Sequence, residues 1–508
     1  MTIHLSILLF WPLLLAILGG IAPRSVAPVF ALFGALVPLG YAVMLLVDFD
    51  AGASGLQYVT DDAWIEELGV RYTLGVDGLN LWLVGLTALL FAASALWIAL
   101  RPPERARLFA VHFGIAETAV LGAFLAQDLA LFVLFFDLML VPFYFLLGQW
   151  GGPERVQAAV KMVIYTLVGS LLMLAGAVAV AVLSAEGGTV SFALADLRAN
   201  LLGEDTQKLL FVAFALAFLI KMPAFPFHGW MPDAYRNMPL PALAVFSGVV
   251  SKVAAYGFLR IVLPLFPAAA EDFQLIVLIL ALCSILYGSI QAFTQTNLRL
   301  ILGYSSVAQL GFITLGVFAL DPDARGAQGA LLQAVNHGLV VAPLFLIIVL
   351  LAARAGGSED LRDMGGIAFR APLLATMFMI VTLATLAMPG SANFVGEFLI
   401  LLGVFESKLV IALIASTGVI LASVYALRMY IRSMHNRQGP NVTSFDMSAR
   451  DAVVIVPLVL VILAFALFPQ PALDAGEPAV RDVSRASAPP SGDAASNLAA
   501  PTLRAQTP

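Results

Sequence analysis

Apolar runs of about twenty residues, the length a helix needs to cross a bilayer, alternate with short polar stretches through most of the chain. They fall near residues 3–21, 27–47, 78–100, 108–126, 128–148, 158–184, 208–228, 239–263, 272–293, 299–319, 327–352, 372–404, 408–430 and 450–469. None shows the two-residue alternation of a transmembrane β-barrel. The pattern predicts an all-α polytopic membrane protein with about fourteen transmembrane helices over residues 1–469. After Pro469 the chain turns to Pro, Ala, Ser, Gly and Asp, and residues 470–508 are expected to be a disordered tail.

Lys and Arg orient the spans. Alternate loops carry Arg24, Arg101, Arg105, Arg107, Arg155, Arg236, Arg299, Arg354, Arg362, Arg370, Arg428, Arg432, Arg437 and Arg450. The opposite loops hold few basic residues and an acidic stretch with Asp48, Asp50, Asp61, Asp62, Glu66 and Glu67. This bias places both termini on the non-cytoplasmic side of a bacterial plasma membrane, which requires an even number of spans. The first twenty residues lack a basic leader and a small-residue cleavage site, and read as a retained span rather than a signal peptide.

Composition agrees: the 508 residues are 61% hydrophobic and 11% charged, and mean hydropathy is +0.97. One cysteine, Cys283, cannot build a disulfide, an iron–sulfur site or a zinc site. The five histidines are scattered singly, with no paired haem arrangement. Nothing in the charge pattern points to nucleic acid.

Two spans are interrupted. In LLFVAFALAFLIKMPAFPFHGWMPDA, from Leu209, Lys221 stands inside the apolar run, and Pro223 and Pro226 follow. A charge at that depth costs about 2.5–3.5 kcal/mol on insertion scales. Each proline removes a donor and obstructs the carbonyl four residues back, so a continuing helix would orphan the carbonyls of Leu219 and Met222. Such a gap is tolerated only against protein or a water-filled cavity. In LATLAMPGSANFVGEFLILLG, Pro389-Gly390 interrupts the second span ahead of Glu397. The interruptions lie about five spans apart, the spacing expected of two inverted five-helix repeats around a transport path.

Of five lysines, Lys161, Lys221 and Lys252 fall within spans, as do the acids Glu117, Asp137 and Glu397. Lys252 has Gly248 and Tyr256 one turn away on its face. Pro142 follows Asp137 and frees the carbonyl of Leu138. Pro343 follows His337 and frees that of Leu339. Each residue has a plainer reading. A buried Lys–Asp pair can lock helices together, and His337 can be a satisfied core histidine. Lys161 and Glu117 can sit at span ends, the lysine snorkelling to the surface. The strip Tyr304, Ser305, Ser306 and Gln309 can serve helix packing. Taken together, the central lysines, acids and histidine beside helix interruptions point to an ion or proton path. No sodium cage of clustered carboxylates is evident, and histidine is a natural proton relay.

Five stretches carry a family resemblance: YTLGVDGLNLWLVGLT from Tyr72, LFFDLMLVPFYFLLGQWGG from Leu134, KMPAFPFHGWMPDA from Lys221, SKVAAYGFLR from Ser251, and PGSANFVGEFLIL from Pro389. Through them the chain resembles the antiporter-like membrane subunits of respiratory complex I, most closely the branch represented by subunit M of bacterial NADH–quinone oxidoreductase. The resemblance implies a non-redox, proton-translocating membrane-arm subunit, part of a translocase that couples quinone reduction to proton pumping. It assigns proton transfer to Asp137, Lys221, Lys252 and Glu397, and His337 occupies the position of a histidine on the eleventh span; apart from the resemblance, Lys161, His228 and Glu117 are further candidates. It implies a pair between Asp137 and Lys221, a relay through Lys252, and an exit-side carrier at Glu397. FMN, iron–sulfur clusters and quinone are then expected in partner subunits, with no cofactor or metal here. The partners implied are neighbouring antiporter-like and other membrane-arm subunits. Glutamate at position 397, where many sister subunits carry lysine, favours the subunit M branch. A subunit of a multisubunit cation/proton antiporter or of an energy-converting membrane hydrogenase is the alternative. One departure stands out: the family usually has glutamate where this chain has Asp137, so the carboxylate reaches one methylene less far toward Lys221.

Overall fold

Backbone that leaves water must satisfy its own N–H and C=O groups, and the apolar runs do so as helices. A computed structural model describes residues 4–487, apart from 54, 186–188 and 444. Helices α1 (Leu5–Ile21) and α2 (Ala27–Asp48) lead to an antiparallel hairpin, β1 (Gln57–Ile65) and β2 (Val70–Val76), with Asp61 opposite Thr73. Then follow α3 (Leu81–Leu100), α4 (Ala106–Leu125), α5 (Leu129–Leu138), α6 (Leu140–Trp150), α7 (Arg155–Leu183), α8 (Leu194–Ala199) and α9 (Glu204–Lys221). The next stretch is α10 (Met231–Asn237), α11 (Leu240–Val245), α12 (Ser251–Gly257), α13 (Leu263–Leu265), α14 (Pro267–Thr294), α15 (Leu298–Val317) and α16 (Arg325–Arg354). The chain continues through α17 (Pro372–Thr385), α18 (Ala392–Ser407), α19 (Leu409–Met434), α20 (Ala449–Leu467) and α21 (Gln470–Ser487).

Among the described residues, eleven helices are long and apolar enough to cross a membrane, counting α5–α6 and α11–α13 each as one. The remaining expected spans are short or interrupted: α1, α9, and the pair α17 and α18. Spans α11–α13, α15 and α16 are almost wholly buried, and α16 packs against α11, α15, α18, α20 and α21. The outer helices present apolar side chains such as Val47, Ile164, Leu171 and Ile420 outward, as a lipid-facing surface requires.

Three expectations need correction. The acidic stretch after α2 includes a β-hairpin, because Val, Tyr, Thr and Trp favour strands there. Its β2 strand carries the start of the Tyr72 motif. The expected disordered tail is helical over Gln470–Ser487, where Ala472, Ala475, Gly476, Val480 and Val483 are buried along one face. The rest of that tail, residues 488–508, lies outside the described residues. Finally, α16 runs unbroken through Pro343, so His337 does not stand at a helix break.

Candidate proton-transfer site

Helix α9 ends at Lys221 because Pro223 has no N–H and disfavours helical backbone at Met222. The loose end is satisfied by protein groups. Ala224 N–H donates to Leu219 O over 2.9 Å, and the Trp230 indole N–H donates to Ile220 O over 3.0 Å. Phe225 N–H donates to Ser284 Oγ over 2.9 Å. The Leu219 carbonyl, expected to be orphaned, is therefore bonded. Lys221 is buried, and its Nζ donates to Phe136 O over 3.2 Å while standing 4.5 Å from the Phe136 ring centre.

Asp137 follows Phe136 in chain order, at the seam where α5 passes into α6 around Met139. Its carboxylate acts electrostatically on Lys221, but no ion pair joins them, and its Oδ1 has no hydrogen-bond partner. Ser170 on α7 stands nearby. The direct pair implied by the family resemblance is thus open: aspartate stops short, and the ammonium takes the backbone carbonyl instead. Asp137 also borders a cavity of about 740 Å³ walled almost wholly by apolar side chains of the hairpin, α5 and α7.

Lys252 lies on α12, between two π-helical turns at Phe246–Val250 and Phe258–Val262. Such turns displace the helical hydrogen-bond ladder and often mark functional positions. Fully buried, its Nζ donates to Ser247 O over 2.6 Å and to Ser251 Oγ over 3.3 Å. His337 on α16 is also buried, with an unpartnered Nδ1, and interacts electrostatically with Lys252. Glycine allows this meeting. A Cβ on Gly338 would lie 2.5 Å from Gly248 O, so only glycine permits the two backbones to cross so closely.

Glu397 lies inside α18, which restarts at Ala392 after Gly390 turns the chain at φ 86°. The predicted Pro389-Gly390 interruption is therefore present. Glu397 Oε1 accepts from Gln309 Nε2 at 2.8 Å and from Gln333 Nε2 at 3.3 Å, and Gln333 Nε2 also donates to Gln309 Oε1 at 2.7 Å. The other carboxylate oxygen, Oε2, is buried without a partner. Gln309, read from sequence as packing, is thus part of the site, while Ser305 bonds the Tyr425 hydroxyl at 2.8 Å.

The three further candidates differ. Lys161 is half-exposed and paired with Asp233 at 2.7 Å. His228 is buried with an unpartnered Nδ1, its ring 4.8 Å from that of Tyr287. Glu117 is 1% exposed in α4, so it is a core residue and not a span-end one, and its Oε1 has no partner.

Sequence reasoning missed Gln333 and the pair Asp77–Arg260. Gln333 stands four residues before His337 on one helical face, a signal the apolar run displays. Arg260 Nη2 meets Asp77 Oδ1 at 2.5 Å, and both are buried. Arg260 lies one turn beyond Tyr256, inside the apolar run of the Ser251 motif. Among the described residues, no three His, Cys, Asp or Glu side chains converge as metal ligands.

Comparison with known proteins gives a consistent picture. Residues 126–422 match the family described as NADH:quinone oxidoreductase/Mrp antiporter, TM. NADH-quinone oxidoreductase subunit M of Rhodobacter capsulatus is 36% identical over 496 residues, covering 94% of this chain and 95% of that protein. A chain of respiratory complex I from Thermus thermophilus with bound NADH superposes with a TM-score of 0.87 at 29% identity, over 96% of this chain and 100% of that one. A chain of the Mrp complex from Dietzia sp. DQ12-45-1b shares the fold, with a TM-score of 0.82 at 22% identity over 95% and 99% of the two chains.

Proposed function

The chain belongs to the NADH:quinone oxidoreductase/Mrp antiporter membrane family, in its subunit M branch, and from that premise we propose that it translocates protons within a complex I-type NADH–quinone oxidoreductase. One observation carries this reading. Asp137, Lys221, Lys252, His337 and Glu397 are titratable side chains of the membrane interior, and among the described residues none of them forms an ion pair. Charges that only hold elements together would be paired, as Arg299 and Glu359 are. Unpaired groups can take up and release protons without first breaking a bridge.

In this mechanism Lys221 holds a proton against the Phe136 carbonyl and responds to the charge on Asp137. Lys252 and His337 exchange protons across the Gly248–Gly338 crossing. Glu397, with one oxygen fixed by Gln309 and Gln333 and the other free, is the exit-side carrier. Flavin, iron–sulfur and quinone chemistry belongs to partner subunits. Both termini and the hairpin lie on the non-cytoplasmic side of a bacterial inner membrane. The apolar cavity beside Asp137 would leave a carboxylate facing lipid, so a neighbouring membrane-arm subunit covers it.

Affinity purification in mild detergent tests the assembly, with flavin and iron–sulfur subunits expected to co-purify. Lys221→Ala tests the path: the assembled complex is expected to lose NADH-driven pumping. A stable Lys221→Ala complex with an unchanged proton-to-electron ratio would overturn the role. Salt sensitivity of a deletion strain whose membranes oxidise NADH normally would favour a cation–proton antiporter instead.

A further inference from the structure

A cavity of about 760 Å³, lined by charged side chains set among apolar ones, opens at the hairpin end of the molecule. Its walls come from the hairpin, the α8 segment and α21, and carry Asp61, Arg71, Asp196, Arg198 and Asp482. Such a lining suits water and small ions, unlike the apolar cavity beside Asp137. At its inner end stand Asp77 and Arg260, which are 6% and 4% exposed.

The ion pair is held from several sides. Asp77 Oδ1 accepts the Leu79 backbone N–H at 2.9 Å as well as Arg260 Nη2. Arg260 Nε donates to the Tyr256 hydroxyl at 3.0 Å, and its backbone carbonyl accepts from Arg198 Nη2 at 2.7 Å. Lys252, Tyr256 and Arg260 recur every four residues, which sets them along one side of the same span. The order from interior to cavity is therefore Lys252, Tyr256, then the pair.

We infer that the Asp77–Arg260 pair is a gate, closing the passage between the Lys252 segment and a charge-lined vestibule on the hairpin face. The inference rests on the proton-transfer reading of Lys252. With the pair closed, a proton leaving Lys252 toward this face meets two interlocked side chains and no open route. With it parted, the Tyr256 hydroxyl communicates with the vestibule. The second π-helical turn, Phe258–Val262, contains Arg260, and its displaced hydrogen-bond ladder gives the guanidinium a place to swing from.

Substituted-cysteine labelling in the assembled complex tests the gate. Cys283 is replaced by serine, Tyr256→Cys is introduced, and a membrane-impermeant thiol reagent is applied from the hairpin side, with mass spectrometry reading this chain alone. Tyr256→Cys is expected to resist labelling with the pair intact and to label at least tenfold faster with Asp77→Asn. Asp77→Asn alone is expected to raise passive proton leak and lower the proton-to-electron ratio, with NADH oxidation retained. The charge swap Asp77→Arg with Arg260→Asp is expected to restore tightness. Equal labelling in both backgrounds, with Asp77→Asn complexes that pump without leak, overturns the gate and leaves a structural ion pair. Should Asp77→Asn prevent assembly, the swapped pair supplies the decision: a swap that assembles but leaks overturns the gate. Lys221→Ala separates the two levels, since unchanged pumping there defeats the proton-transfer reading itself, whereas lost pumping there with a tight Asp77→Asn complex defeats the gate alone.

Discussion

Lys221 bonds the backbone carbonyl of Phe136 at 3.2 Å and leaves the Asp137 carboxylate, the next residue along, unpaired. The two groups sit at interruptions of facing spans, close enough to sense each other's charge without contact. The shorter aspartate keeps the pair open.

That geometry makes Asp137→Glu informative. One more methylene brings the carboxylate toward the ammonium, so a direct ion pair is expected to form and to slow proton release. NADH-driven pumping should persist at a reduced rate. Asp137→Asn removes the charge and should cost pumping about 100-fold, the scale of losing a positioned proton-transfer group. Proton-to-electron ratios in inverted vesicles compare the two, and equal activity in both variants would contradict the role of the carboxylate.

Gly338→Ala tests the crossing that brings Lys252 and His337 together. The added methyl would fall 2.5 Å from Gly248 O, which the backbone must accommodate by moving apart. Overpacking of this kind costs about 1–3 kcal/mol. Thermal unfolding of the purified complex should show this chain loosening, with pumping reduced more than assembly. An unchanged melting profile would mean that the crossing relaxes freely.

The amides around Glu397 should differ in weight. Gln309→Leu removes the 2.8 Å bond to the carboxylate, and hydrogen bonds to charged groups are worth about 1.5–3 kcal/mol. Pumping should fall by roughly an order of magnitude or more, since each 1.4 kcal/mol is about tenfold. Gln333→Leu should cost less, because its own contact with Glu397 is 3.3 Å and its shorter bond serves Gln309. The reverse ranking would mean that Gln333 is the principal holder.

Gly78→Ala probes the docking of α21. A Cβ there would sit 1.9 Å from Ala475 O, inside contact distance for any pair of atoms. The helix should lift from its seat, and amide exchange over Gln470–Ser487 should accelerate relative to the parent complex. Exchange that does not change would place the helix's anchorage elsewhere.

The interruptions at Lys221 and at Pro389-Gly390 were legible in the sequence because proline and glycine act locally on the backbone. The five central titratable residues were legible because a charge inside an apolar run is costly wherever it points. Partners were not. Whether Asp137 reaches Lys221, or Lys161 finds Asp233, depends on how helices distant in sequence rotate against each other. Proline was also an uneven guide: Pro223 coincides with a helix end, while α16 continues straight through Pro343. Arg260 escaped notice because it sits near the end of its span, where arginine ordinarily faces water, yet here it is buried against Asp77. Helix α21 was hidden by a composition typical of disorder, its few apolar residues spaced to cover one face.

Helix α16 carries Gln333 and His337 one turn apart on thirty residues of uninterrupted helix. The first side chain belongs to the Glu397 network, the second to Lys252. A stiff rod cannot turn one of them and leave the other in place. A few degrees of roll that draw His337 toward Lys252 also change how Gln333 addresses Glu397. Under the proposed proton-transfer function, the Lys252 and Glu397 networks therefore share a crankshaft, a single helix whose roll would move both at once.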